Sequence, residues 1–118
     1  MSKHMPFSSS RKAGPFIFAS GKVGVDPIAG DIAKGDVGKQ TLKILDNMES
    51  ELQQYGLGLQ DVVKTTVFLT DMRLFDDMNA AYKTRFSDPL PARSCVSVSA
   101  VPHVDALVEI ELIAWTEK

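Results

Sequence analysis

The sequence holds a single cysteine, Cys95, so no disulfide can close within the chain. A reducing compartment is the simplest setting for such a chain, and a cytoplasmic location is expected. Histidine is almost as scarce, at two residues. Two distant histidines and one thiol make no metal-ligand cluster, so no metal is expected. No window approaches the ~20 apolar residues of a bilayer-spanning helix, so no membrane partner is expected. Excess positive charge is also missing: the 13 Lys and Arg are scattered, and the net charge is -2. A nucleic-acid binder of this size usually carries a clustered basic surface, so no nucleic-acid partner is expected. The N-terminal MSKHMPFSSSRK has charge but no apolar h-region, so no secretory signal is expected. Its Arg and Ser content bears a faint likeness to a transit peptide.

What is present is an ordinary globular balance, with 44% hydrophobic and 24% charged residues over a length that fits one domain, 1–118. FIFAS (Phe16 to Ser20) reads as a strand, and Asp26 to Asp36, with Pro and two Gly, as a loop. From there the period changes. Val37, Thr41, Ile44, Leu45, Met48, Leu52 and Tyr55 form one stripe of an amphipathic helix, with Asp36 as N-cap and Gly56 as the terminating C′ glycine. Val62 to Thr70 is dense in β-branched residues and reads as a strand. A second helical stripe is Phe75, Met78, Tyr82 and Phe86, and Pro89 and Pro91 forbid its continuation. Arg93 to Val98 and Leu107 to Trp115 alternate as strands, and a short strand is expected near Phe7 to Ser10.

Two strand–helix–strand units predict parallel strands in one sheet. Two helices cover only one face of it. On the last strand Val108, Ile110, Leu112 and Ala114 suit the helix layer, while Leu107, Glu109, Glu111, Ile113 and Trp115 face the other way. On Val62 to Thr70 the alternation puts Val63, Val67 and Leu69 on one side and Val62 and Phe68 on the other. A sheet apolar on both faces with one helix layer needs a second cover, and a homo-oligomer is the expectation.

Arg93, Cys95 and Ser97 alternate onto one side of their strand, as Glu109 and Glu111 do on theirs. If the two strands are neighbours, a guanidinium, a thiol and a carboxylate gather on one interface-facing side. Each has an ordinary structural reading: Arg93 as a surface ion-pair partner, Cys95 as a small buried hydrophobe, Glu109 as an interface partner of Arg93.

The segment PARSCVSVSAV, followed after PHVDAL by VEIE, resembles the signature of the Rid (YjgF-like) family. FIFASGKVGVDPIAGDI and DVVKTTVFLTDMRLFDDMNAAY resemble that family's upstream segments, so the likeness covers almost the whole chain from about Pro6. The resemblance implies a chorismate-mutase-like α+β fold, with a mixed sheet and two helices on one face. It also implies a homotrimer with a central β-barrel and active sites between subunits. The implied activity is hydrolysis of reactive 2-imino acids, such as 2-iminobutanoate and 2-iminopropanoate or their enamine tautomers, to 2-oxo acids and ammonia. Arg93 matches the family's carboxylate-binding arginine and Glu109 the glutamate that activates water. Cys95, Ser20, Gly21 and Asn79 match substrate-pocket positions. No cofactor is implied, because the imine carbon is already electrophilic.

The sequence departs from the family pattern in two places. Phe7, in MPFSS, stands where the family usually has a pocket tyrosine, and Ser97 and Ala100 replace a frequent glutamate and basic residue. These changes bear on substrate preference. They also leave room for a non-catalytic trimer that binds a small carboxylate metabolite and regulates. A third reading, an endoribonuclease or translation inhibitor, is attached to some relatives, and the acidic net charge weighs against it.

Overall fold

The computed structural model describes residues 5–117; the first four residues of the N-terminal segment lie outside these. The stripe that starts after Asp36 forms helix α1 (Val37–Gln53). The Asp36 carboxylate accepts the Lys39 N–H at 2.9 Å, the expected N-cap. Val37, Thr41, Ile44, Leu45, Met48 and Leu52 are all buried. Gly56 has φ 73°, and the chain folds back so that Leu57 N–H donates to Leu52 O and Gly56 N–H to Gln53 O. That pair of bonds is a Schellman termination, which favours glycine at the left-handed position. Tyr55 falls beyond the helix end but still packs on the core.

The second stripe forms α2 (Phe75–Tyr82), flanked by single 3₁₀ turns. Phe86 lies past it, in extended backbone, yet its ring meets Tyr82 at 4.7 Å. The strands are β1 (Ser10–Ala13), β2 (Phe16–Val23), β3 (Val62–Leu69), β4 (Ala92–Ser97) and β5 (Val108–Trp115). The first strand therefore starts at Ser10, where the expected one ended, and β2 runs three residues past its expected end.

The sheet order is β1-β2-β5-β3-β4. Only β3 and β4 pair in parallel; the other neighbours are antiparallel. The first strand–helix–strand unit thus leaves a gap one strand wide between β2 and β3, and the C-terminal strand fills it. β5 suits that central place because its helix-side residues Val108, Ile110, Leu112 and Ala114 are at most 2% exposed. Both helices lie on this side, and α1 packs on α2, β2 and β5. Gln40 on α1 is fully buried. Its amide donates to Ala33 O and Asp105 O and accepts from Leu107 N–H, which fixes where β5 begins.

The opposite face carries Phe16, Phe18, Val96 and Trp115, each between 38% and 45% exposed. Alternation fails at two bulges. One extra residue between Val62 and Lys64 returns Val62 to the core and leaves Val63 exposed, the reverse of simple alternation. A second, between Ala19 and Lys22, turns Lys22 to the helix side, where its ammonium lies 3.6 Å from Glu51.

Candidate active site

Arg93 sits on edge strand β4, directly opposite Thr65 of β3. Thr65 is fully buried under the helices, so the Arg93 side chain shares the helix side of the sheet. There α2 supplies its surroundings. Nη1 donates to Asn79 Oδ1 at 2.6 Å. The guanidinium carbon lies 4.8 Å from the centroid of the Tyr82 ring and 5.5 Å from that of Phe75. The Tyr82 hydroxyl in turn hydrogen-bonds Thr65 Oγ1 at 2.7 Å. No carboxylate among the described residues pairs with Arg93, whereas Lys22, Lys34, Lys43 and Arg73 each have one and Arg85 has two. Arg93 is therefore not the surface ion-pair partner that its strand-start position suggested.

Cys95 follows two residues along on the same side and packs against the core. Burial pushes its thiol pKa up, against the opposing pull of the Arg93 charge. A thiol held in its neutral form is a poor nucleophile, which suits a packing or main-chain role for this residue.

Glu109 lies on the other face. It stands opposite Phe68 of β3, one step out of phase with the Thr65–Arg93 and Val67–Cys95 pairs. The expectation that Arg93, Cys95 and Glu109 share one side of the sheet is thus overturned. Its premise was that the last two strands are neighbours, and β3 runs between them. The Glu109 carboxyl is half-buried and has no hydrogen bond or ion pair with a described residue. Burial, and then the like charge of Glu111 on the same face, push its pKa up.

Gly21 occupies the β2 bulge beside it. A Cβ there would fall 2.8 Å from Glu109 Oε2, so glycine makes room for the carboxylate. Ser20 tethers the N-terminal arm: its hydroxyl donates to Ser8 O at 2.6 Å and its N–H to Ser9 O at 3.0 Å. That tether holds Phe7 over an open groove of about 520 Å³, lined also by Arg11, Phe18, Lys64 and Glu111.

The seven residues singled out in the sequence thus form two groups. Arg93, Cys95 and Asn79 gather on the helix side at α2, and Glu109, Gly21, Ser20 and Phe7 gather on the open face. Sequence reasoning missed Tyr82 and Phe75 as neighbours of Arg93, because both read as plain members of an apolar stripe. Their spacing held the signal: Phe75, Asn79 and Tyr82 stand at i, i+4 and i+7, on one side of a helix. No group of three or more His, Cys, Asp or Glu able to hold a metal occurs among the described residues. No described helix is long and apolar enough to cross a membrane.

A mixed five-stranded sheet, backed by two helices on one face and open on the other, defines a chorismate-mutase-like α+β domain of the YjgF type. The family model described as endoribonuclease L-PSP matches residues 1–116. A RutC family protein of Pyrococcus horikoshii is 45% identical over 112 residues, covering 95% of this chain and 88% of its own. The 2-iminobutanoate/2-iminopropanoate deaminase of Mus musculus is 40% identical, covering 92% and 80%. A solved structure of the conserved Rid family protein YyfA from Yersinia pestis superposes with a TM-score of 0.90 at 38% identity, over 97% of this chain and 90% of that one. The chain belongs to the Rid (YjgF-like) family.

Proposed function

We propose that this protein is a homotrimeric hydrolase that deaminates 2-imino acids to 2-oxo acids and ammonia, acting in the cytoplasm without a cofactor. The observation that carries this reading is a pair of unpaired, opposite charges on opposite faces of one sheet, Arg93 and Glu109. Neither is paired with an opposite charge among the described residues, and one chain cannot bring both to the same small molecule. When a second copy covers the open face, Glu109 of one chain and Arg93 of another can meet in a shared cleft. The deaminase name of the mouse relative supports the reaction class.

In this reading the substrate carboxylate takes two parallel hydrogen bonds from the Arg93 guanidinium. That grip orients the C2 carbon toward water. Glu109 takes a proton from the water as its oxygen bonds to C2 and the C=N π electrons move to nitrogen, and it then passes that proton to the nitrogen, which regenerates the carboxylate. The resulting carbinolamine passes a proton to its amino group, the C–N bond breaks with its electron pair on nitrogen, and ammonia leaves as the C=O bond forms. An endoribonuclease role fits less well, because the net charge is -2 and the open groove carries Glu111 beside its two cations.

The test generates 2-iminobutanoate from threonine with a pyridoxal-phosphate dehydratase and follows 2-oxobutanoate. The protein is expected to accelerate its appearance in proportion to the amount added. No acceleration, with 2-oxobutanoate still bound in the cleft, would favour the regulatory carboxylate-binding reading instead.

A further inference from the structure

We infer that Tyr82, pinned by Thr65, is a positioning residue whose ring sets the plane of the Arg93 guanidinium and so the direction of its free N–H fork. The inference rests on the reading of Arg93 as the carboxylate anchor. Two coplanar donors match a carboxylate only when the guanidinium plane is held, since rotation about the side-chain bonds swings the fork away. Asn79 holds Nη1 at one point, and one point does not fix a plane. The Tyr82 ring, its centroid 4.8 Å from the guanidinium carbon, supplies the flat surface.

That ring is itself immobilised at both ends. Its backbone lies in α2, and its hydroxyl reaches Thr65 Oγ1 at 2.7 Å. Thr65 is fully buried and is the direct cross-strand neighbour of Arg93, so ring and guanidinium are referenced to the same register position. Phe86 contacts the Tyr82 ring at 4.7 Å and braces it further. Burial pushes the tyrosine pKa up, against the opposing pull of Thr65 and the Arg93 charge. A leucine would fill a core position at this point of the stripe. It would provide neither the flat face nor the tether.

The experiment compares Tyr82→Leu, which removes the ring, with Tyr82→Phe, which keeps it and is the safer variant for folding. In ¹⁵N-labelled protein the parent is expected to show separate Arg93 Nη resonances from hindered rotation. Tyr82→Leu should merge them, and Tyr82→Phe should not. In kinetics Tyr82→Leu should raise KM for 2-iminobutanoate roughly 2- to 30-fold, with kcat changing less, and Tyr82→Phe should fall between it and the parent. Unchanged Arg93 resonances in Tyr82→Leu would overturn the inference, as would equal losses of kcat in both variants without a rise in KM. The resonances decide the question even when the parent turns over no imine, so the positioning role and the deaminase reading fail separately.

Discussion

Arg93→Ala is expected to lower kcat/KM for 2-iminobutanoate by roughly 30- to 4,000-fold, the equivalent of about 2–5 kcal/mol for removing one partner of a hydrogen-bonded charge pair. The loss falls on substrate binding and on the reacting step together, because the anchored carboxylate is what aims C2 at the water. Arg93→Lys keeps the charge but loses the planar fork, so it is expected to recover only part of the activity. Neither change should unfold the protein. Arg93 lies on an edge strand, is part-exposed and forms no ion pair with any described residue. Steady-state kinetics alongside thermal denaturation separate the two effects. Parental kcat/KM in Arg93→Ala would remove the anchor from the account.

Glu109→Gln is expected to lower kcat by roughly 10²- to 10⁴-fold, the usual range for loss of a general base. The pH dependence carries a second signature. Burial and the Glu111 charge raise the Glu109 pKa above that of an ordinary glutamate. The base works only when deprotonated, so kcat/KM should fall as pH drops through this raised value, earlier than for a normal carboxylate. Glu111→Gln removes the like charge and should shift the acidic limb to lower pH while leaving Glu109 in place. A pH–rate profile that is flat across the acidic range, or unmoved by Glu111→Gln, would count against Glu109 as the base.

Much of the architecture could be read from residue periodicity. The α1 stripe, the Asp36 cap and the Gly56 stop follow from local rules that hold wherever the residues sit, and so does the alternation of β5. The open sheet face followed from counting helices against apolar strand faces. Parity across a bulge could not be read. Val62 belongs to the core and Val63 to the surface because one extra residue resets the alternation, and no residue type marks that place. Strand order was hidden for a different reason. β5 comes last in the chain but lies between β2 and β3, and pairing partners depend on tertiary contacts that a one-dimensional pattern does not encode.

That single insertion decides the reading of the site. With β4 and β5 adjacent, Arg93 and Glu109 would have fitted one chain's cleft. With β3 between them they occupy opposite faces, and in the proposed reading each is a half-site. The proposed roles still follow the family likeness, but their placement differs: the arginine belongs to the α2 side and the glutamate to the open face. Phe7 belongs with the glutamate half, since Ser20 ties its arm to the open groove. In the proposed reading, loss of the usual tyrosine hydroxyl therefore bears on the Glu109 side of the site and not on the Arg93 side.

Subunit mixing tests the shared site most directly. Arg93→Ala and Glu109→Gln proteins, each nearly inactive alone, are unfolded together in equal amounts and refolded, then assayed for 2-oxobutanoate formation. In a closed ring with one site per interface, a site is intact when one neighbour keeps Arg93 and the other keeps Glu109. Random assembly then restores about one quarter of the parental activity. Activity no higher than that of the two separate variants would mean that both residues must come from the same chain, and would contradict the account.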